Sequence, residues 1–300
     1  MYAPNDPRAA LAPADAAAAP MPPAFAAADI GLFYKEPPQE SSAESKTWLL
    51  RGQNFVIAHS EAEPGARFHR RGQVDEYIVL VQRRDNPVTV EAGGETSSVA
   101  GYSLIIVPPG DSTVTLPDGG SITRIFSAQS ADLTAKCSNA VSYAEHRANI
   151  PPFARWPAPR EGYRIRSYSL DVPPQPGRFG RIWRCETIMV NVLDEQVGPR
   201  DVTQLSPHHH DDFEQCSLAL DGSFIHHLRW PWTPNMNAWR ADEHPHVGSP
   251  SATIIPPPAI HTTRAMEAGM NQLVDIFSPP RIDFSLKPGW VLNADDYPMP

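Results

Sequence analysis

His208-His209-His210-Asp211-Asp212-Phe213-Glu214 and Pro256-Pro257-Pro258-Ala259-Ile260-His261 are the two stretches on which the reading of this chain turns. Residues two apart on an extended strand share a face, so His208 and His210 point together and His209 points away. A turn through Asp211-Asp212 returns Glu214 toward the pair, and a proline corner brings His261 beside them. Three neutral imidazoles and one carboxylate suit Fe(II), Mn(II), Ni(II), Cu(II) or Zn(II). An octahedral ion would keep two positions open for substrate or O2. The expected metal set is therefore His208, His210, Glu214 and His261.

The surroundings read as strands. Asn54-Phe55-Val56-Ile57-Ala58, Tyr77-Ile78-Val79-Leu80-Val81 and Leu104-Ile105-Ile106-Val107 are short β-prone runs. Turn residues separate them at Asp85-Asn86-Pro87, Gly93-Gly94 and Pro117-Asp118-Gly119-Gly120. Many short strands so punctuated imply an all-β sandwich or barrel. Gln129 to Ala148 can hold a short helix, and the prolines from Ile150 to Pro159 mark an extended linker. The β pattern then resumes through Phe213–Leu220, Ser223–Trp230, Ala252–Ile255 and Leu273–Phe277.

The two halves form a degenerate repeat. His69-Arg70-Arg71-Gly72-Gln73-Val74-Asp75-Glu76 precedes Tyr77–Val81 as the histidine stretch precedes Gln215–Leu220. Ile105-Ile106-Val107-Pro108-Pro109-Gly110 parallels Ile254-Ile255-Pro256-Pro257-Pro258. In the first half Arg71 stands where a second histidine is needed, and Ser112 or Thr113 falls at the last ligand position. A cation at Arg71 opposes a metal ion, so one ion per chain is expected. The boundaries expected are an Ala/Pro-rich arm over 1–46, a first barrel over 47–128, a linker over 129–160 and a second barrel over 161–300.

Bulk composition excludes several classes. With 25 basic and 34 acidic residues among 300, the net charge is −9 and there is no basic run. Nucleic acid is thus not an expected partner. No apolar stretch reaches membrane-spanning length. Cys137, Cys185 and Cys216 suggest neither a disulfide framework nor a zinc knuckle, which favours a reducing, cytoplasmic setting. Thirty-four prolines argue against a mainly helical protein. The N-terminal arm lacks a secretory pattern and reads as flexible, with wrapping of a partner subunit as the alternative; with paired barrels, a homodimer is expected.

Near the main cluster, Cys216 shares the parity of Glu214, which allows it to line the barrel or to act as a small buried hydrophobe. His226, on the face of Phe224, Leu228 and Trp230, is a candidate proton shuttle. Trp183, Trp230, Trp232 and Trp239 could form an apolar pocket for a planar substrate or simply pack. His244-Pro245-His246 repeats the two-residue spacing but reads as a loop.

These motifs resemble those of the cupin superfamily, specifically a bicupin with two β-barrels in one chain. His208, His210 and Glu214 match the form H-x-H-x(3–4)-E, and Pro256 and His261 match P-x-G-x-x-H, with Pro258 in place of the glycine. The resemblance spans about residues 47 to 295 and implies two tandem double-stranded β-helix (jelly-roll) barrels. It implies one divalent transition metal, Fe(II) first with Mn, Ni, Cu or Zn as alternatives. It also implies a dioxygenase-type oxidoreductase acting on a small enolic, aromatic or keto-acid substrate, with Glu214 as fourth ligand or base. The alternatives are a metal-dependent isomerase, epimerase or lyase of a sugar acid or keto acid, and a non-catalytic small-molecule-binding cupin. A sugar-acid site needs polar and cationic pocket groups. The aromatic neighbourhood visible in the sequence tilts the expectation to the oxygenase.

Overall fold

A computed structural model describes residues 25–300. Along the first half run β1 (Asp29–Gly31), β2 (Glu40–Ser41), β3 (Ser45–Arg51), β4 (Phe55–Ala62), β5 (Ala66–Gln73) and β6 (Tyr77–Val81). They are followed by β7 (Val88–Ala92), β8 (Glu95–Val99), β9 (Ser103–Val107), β10 (Gly110–Leu116) and β11 (Gly120–Ser127). The second half holds β12 (Arg166–Ser169), β13 (Gly180–Arg184), β14 (Met189–Leu193), β15 (Gln196–Val197) and β16 (Glu214–Asp221). It ends with β17 (Phe224–Arg229), β18 (His246–Val247), β19 (Ser251–Ile255), β20 (Ile260–Ala265) and β21 (Met270–Ser278). Helix is confined to short turns such as Ala131–Thr134 and Ile282–Ser285. The loops close as their residues dictate: Gly93 and Gly94, both at positive φ (59° and 82°), form the two-residue connection between β7 and β8.

The repeat is present in the large sheets, where β9-β6-β11-β4-β3 corresponds to β19-β16-β21-β14-β13, while the smaller sheets have four and three strands. One large sheet runs β12-β9-β6-β11-β4-β3-β2 and the other β1-β19-β16-β21-β14-β13. The sheets β5-β10-β7-β8 and β18-β17-β20 are the smaller partners that make each half a jelly-roll barrel. Two strands cross between halves. β1 pairs with β19 and β12 pairs with β9. The boundary drawn at 161 therefore does not follow the sheets, because 166–169 completes the first barrel. The expected flexible arm lies partly outside the described residues (1–24), and its described part, 25–46, is built into sheets through β1 and β2.

Parity along the strands sets three environments. The two large sheets face each other across an apolar core that includes Leu50, Ile57, Ile78, Leu104, Val190 and Ile276. Each such side chain contributes about 1.5–3 kcal/mol by leaving water. Inside the first barrel the opposite parity is also apolar, with Val56, Val79, Val90, Val114 and Phe126 filling it. Tyr77 stacks on Phe126 at 4.7 Å, and the guanidinium of Arg124 lies 4.2 Å from the Phe68 ring centre. Strands buried on both faces read as continuous apolar runs, which is why β6 and β9 looked so in the sequence. The interior of the second barrel differs: β16 turns Gln215 and Ser217 inward, and β21 turns Asp275 inward.

Candidate metal centre in the second barrel

His208 and His261 are brought together by the backbone. They form an isolated antiparallel bridge in which each N–H donates to the other's carbonyl, at 3.1 and 2.8 Å. His210, two residues on, returns to the same side. The ligating atoms of the three imidazoles all lie within 4.8 Å of one another, the one such group of three or more among the described residues. Ring centres are separated by 4.5 Å for His208 and His261, 4.8 Å for His208 and His210, and 5.3 Å for His210 and His261.

The hydrogen bonds select the tautomers that a metal needs. A carbonyl oxygen only accepts, so His208 Nδ1 donates to Ser206 O at 2.8 Å and His261 Nδ1 donates to Ala259 O at 3.0 Å. That leaves each Nε2 as a lone pair. The Nε2 atoms of His210 and His261 are buried without a hydrogen-bond partner. Burial, then the neighbouring imidazole of His261, holds the pKa of His210 down at about 2. Burial holds that of His261 at about 4. Both rings are therefore neutral near pH 7, the ligating form. This donor set fits a divalent transition ion.

Glu214 is not in this group. It begins β16 on the face of Cys216 and Leu218, which enter the core between the sheets. Its Oε2 accepts the N–H of Gln53 at 2.7 Å and of Asn54 at 3.4 Å, and Oε1 accepts the Tyr143 hydroxyl at 3.2 Å. Burial raises its pKa to about 7. Gly52 backs onto it, where any Cβ would collide with the carboxylate. The first-half counterpart, Glu76, is likewise buried, takes a hydroxyl from Tyr297 at 2.8 Å and has a pKa raised by burial to about 7. Strand alternation explains the correction: one residue along, Gln215 is the side chain that faces the barrel. The role of Glu214 as ligand or base is thereby withdrawn.

Gln215 donates from Nε2 to Ser217 Oγ and to Asp275 Oδ1, both at 3.2 Å, and Ser217 Oγ donates to the same Oδ1 at 2.8 Å. Burial raises the pKa of Asp275. These residues line a cavity of about 820 Å³ together with His208, His261 and Thr263. Arg200, Arg281 and Lys287 add three cations to its wall. Arg281 pairs with Asp283 at 2.6 Å and stacks on Phe284, with its guanidinium carbon 3.6 Å from the ring centre. Phe213 lies between Arg281 and His210, with ring centres of Phe213 and His210 4.2 Å apart. Arg200 donates to Thr263 O at 2.9 Å and to Ser206 Oγ at 3.1 Å, tying the loop before His208 to β20.

Other expectations are placed as follows. His226 is buried on β17, opposite Thr263, with Nδ1 2.9 Å from Thr263 Oγ1 and Nε2 unpartnered. Burial, then His261, lowers its pKa to about 3. Cys216 packs in the inter-sheet core and does not line the barrel. The tryptophans do not form a pocket. Trp183 is in the same core, Trp230 packs with Phe25 and Leu228, and Trp232 stacks on Trp239 at 4.7 Å on the surface. His244–His246 is not a free loop, since His246–Val247 forms β18. In the first barrel, His69 Nδ1 is 3.0 Å from Thr113 Oγ1. Gln215 and Asp275 were missed, although the acid in the apolar run Leu273–Phe277 was a visible signal. Arg281 carried none, because only the meeting of β16 and β21 brings it near His210.

No protein-family model matches the chain, and no curated protein matches it. Among solved structures it is similar to AerE from Microcystis aeruginosa, at 7% identity and a TM-score of 0.54, over 79% of this chain and 93% of that one. It is similar to an oxalate decarboxylase from Lactobacillus farciminis in a formate complex, at 12% identity and 0.55, over 84% and 86%. A Bacillus subtilis oxalate decarboxylase studied for its Mn(II) centres matches at 10% and 0.55, over 88% and 82%. Likeness at such identities is likeness of architecture, and the architecture of this chain is the two-barrel bicupin fold.

Proposed function

We propose that the second barrel holds one divalent transition metal on His208, His210 and His261. We propose further that the chain is an isomerase, epimerase or lyase of a small anionic substrate, a sugar acid or keto acid. The observation that carries this reading is the meeting of three imidazoles, of which His208 and His261 line a cavity that also presents Arg200, Arg281 and Lys287, beside Asp194, Asp275, Asp283 and four phenylalanines. Bound there, the ion would supply Lewis acidity to a substrate carbonyl. Arg281, Arg200 and Lys287 attract the substrate's carboxylate, and a guanidinium binds it with two parallel hydrogen bonds. Asp275, held by Ser217 and Gln215, takes and returns a proton. His226, buried near His261 with its pKa held at about 3, stays neutral and stores no proton.

The neutral Gln215 in place of a carboxylate leaves the ion's charge largely uncompensated, which favours an anionic substrate. An all-imidazole set suits Fe(II), Zn(II) or Ni(II) ahead of Mn(II), which prefers carboxylates. Two of the similar folds are oxalate decarboxylases, lyases of a small dicarboxylate, and this supports the class. The oxygenase reading keeps the same three histidines and loses the tryptophan pocket, while Phe179, Phe224, Phe277 and Phe284 still line the cavity. The test is metal analysis of untagged protein, followed by turnover of a sugar-acid and keto-acid panel with and without O2. Equal rates under both atmospheres are expected; a strict O2 requirement restores the oxygenase.

A further inference from the structure

The small sheet β18-β17-β20 carries His226 and His261 on its inner face, and its outer face carries other histidines. β17 and β18 pair with Ile225 opposite His246, and Leu228 bridges Glu243. This register sets His227 opposite His244. Their Nδ1 atoms are 2.9 Å apart and their ring centres 5.0 Å apart. Successive alternate residues share a face, so His246 lies on the same side as His244. His244 and His246 are exposed and His227 is half-buried. One Nδ1 of the close pair must donate to the other, so one ring already aims a lone pair at its partner.

We propose that His227 and His244 form a second, two-imidazole site for a borderline-soft divalent ion, Zn(II), Ni(II) or Cu(II), to which His246, two residues along on the same face, adds a third donor when its ring rotates inward. Cross-strand side chains approach closely enough for two rings to chelate one ion, and imidazole donors disfavour Ca(II) and Mg(II). The nearby acid, Asp242, is already paired with Arg229 at 2.5 Å, and Arg264 on β20 adds a positive charge beside His227. The ion's charge is therefore poorly compensated, and this site is weaker than the inner cluster. Its location is back to back with that cluster through one strand layer, since Leu228 faces His261 while His227 faces outward. The inference stands whether or not the inner cluster binds metal.

The experiment uses untagged full-length protein stripped by chelator and dialysed to equilibrium against Zn(II), with bound zinc counted by elemental analysis. The double variant His227→Asn/His244→Asn is expected to bind one equivalent less than the parent, and His246→Asn to weaken that equivalent. The same equivalent is expected to persist in His261→Ala, which separates it from the inner cluster. These are surface changes, expected to shift stability by no more than about 0.5 kcal/mol, so circular dichroism should match the parent. A zinc count unchanged in the double variant at saturating Zn(II) overturns the proposal.

Discussion

His208 and His261 are cross-strand partners whose two reciprocal backbone hydrogen bonds, 3.1 and 2.8 Å long, hold their ring centres 4.5 Å apart. The spacing of the two proposed ligands is thus set by main chain and not by side-chain choice. The site is organised before any ion arrives, which reduces the ordering cost of binding.

The first prediction concerns that pair. His261→Ala keeps the backbone bridge and removes one imidazole. Metal retention by untagged protein should fall to background. Added metal at about a hundredfold excess over Kd should stabilise the parent by about 2.7 kcal/mol and leave the variant's melting temperature unchanged. Metal content equal to the parent's would exclude His261 as a ligand.

Glu214→Gln separates the withdrawn ligand from the proposed set. Metal content and activity should be unchanged, because the carboxylate faces Gln53 and Tyr143. Stability should change with pH. Below about pH 4.5 Glu214 is protonated in both states. Between there and about 7 only the folded state keeps its proton, so stability falls as pH rises. The shift corresponds to about 3 kcal/mol. Denaturant melts at pH 5 and 8 should show a smaller loss in Glu214→Gln than in the parent. Glu76→Gln should act in the same direction.

Asp275→Asn tests the proposed base. It is nearly isosteric and keeps an oxygen that accepts from Ser217. Turnover should fall by about 10²–10⁴-fold with metal content retained. A variant as active as the parent would remove Asp275 from the chemistry.

Arg281→Gln tests recognition of an anion. A charged hydrogen bond is worth about 1.5–3 kcal/mol, so KM for a carboxylate substrate should rise about 10–100-fold. Arg281→Lys should recover only part of this, because a lysine neither forks to a carboxylate nor stacks as well on Phe284. Equal KM values in all three proteins would argue against an anionic substrate.

The all-β class, the two-barrel repeat and the nearness of His208, His210 and His261 were legible in the sequence. Each depends on short-range patterns: strands of five to nine residues such as β6 and β21, turns, and a two-residue ligand spacing. The strand exchange by β1 and β12 was not legible, because nothing local tells an edge strand which sheet it will join. The choice between Glu214 and Gln215 lay one residue apart in a sequence that tolerates either. Only the packing of the two large sheets decided it, by burying the face of Cys216 and Leu218 and leaving the face of Ser217 for the barrel. A strand with two buried faces carries no alternation to show which face is the cavity. Tertiary structure alone also set Asp275 beside Gln215 and Arg281 near His210, since each pair meets only where β16 and β21 lie side by side.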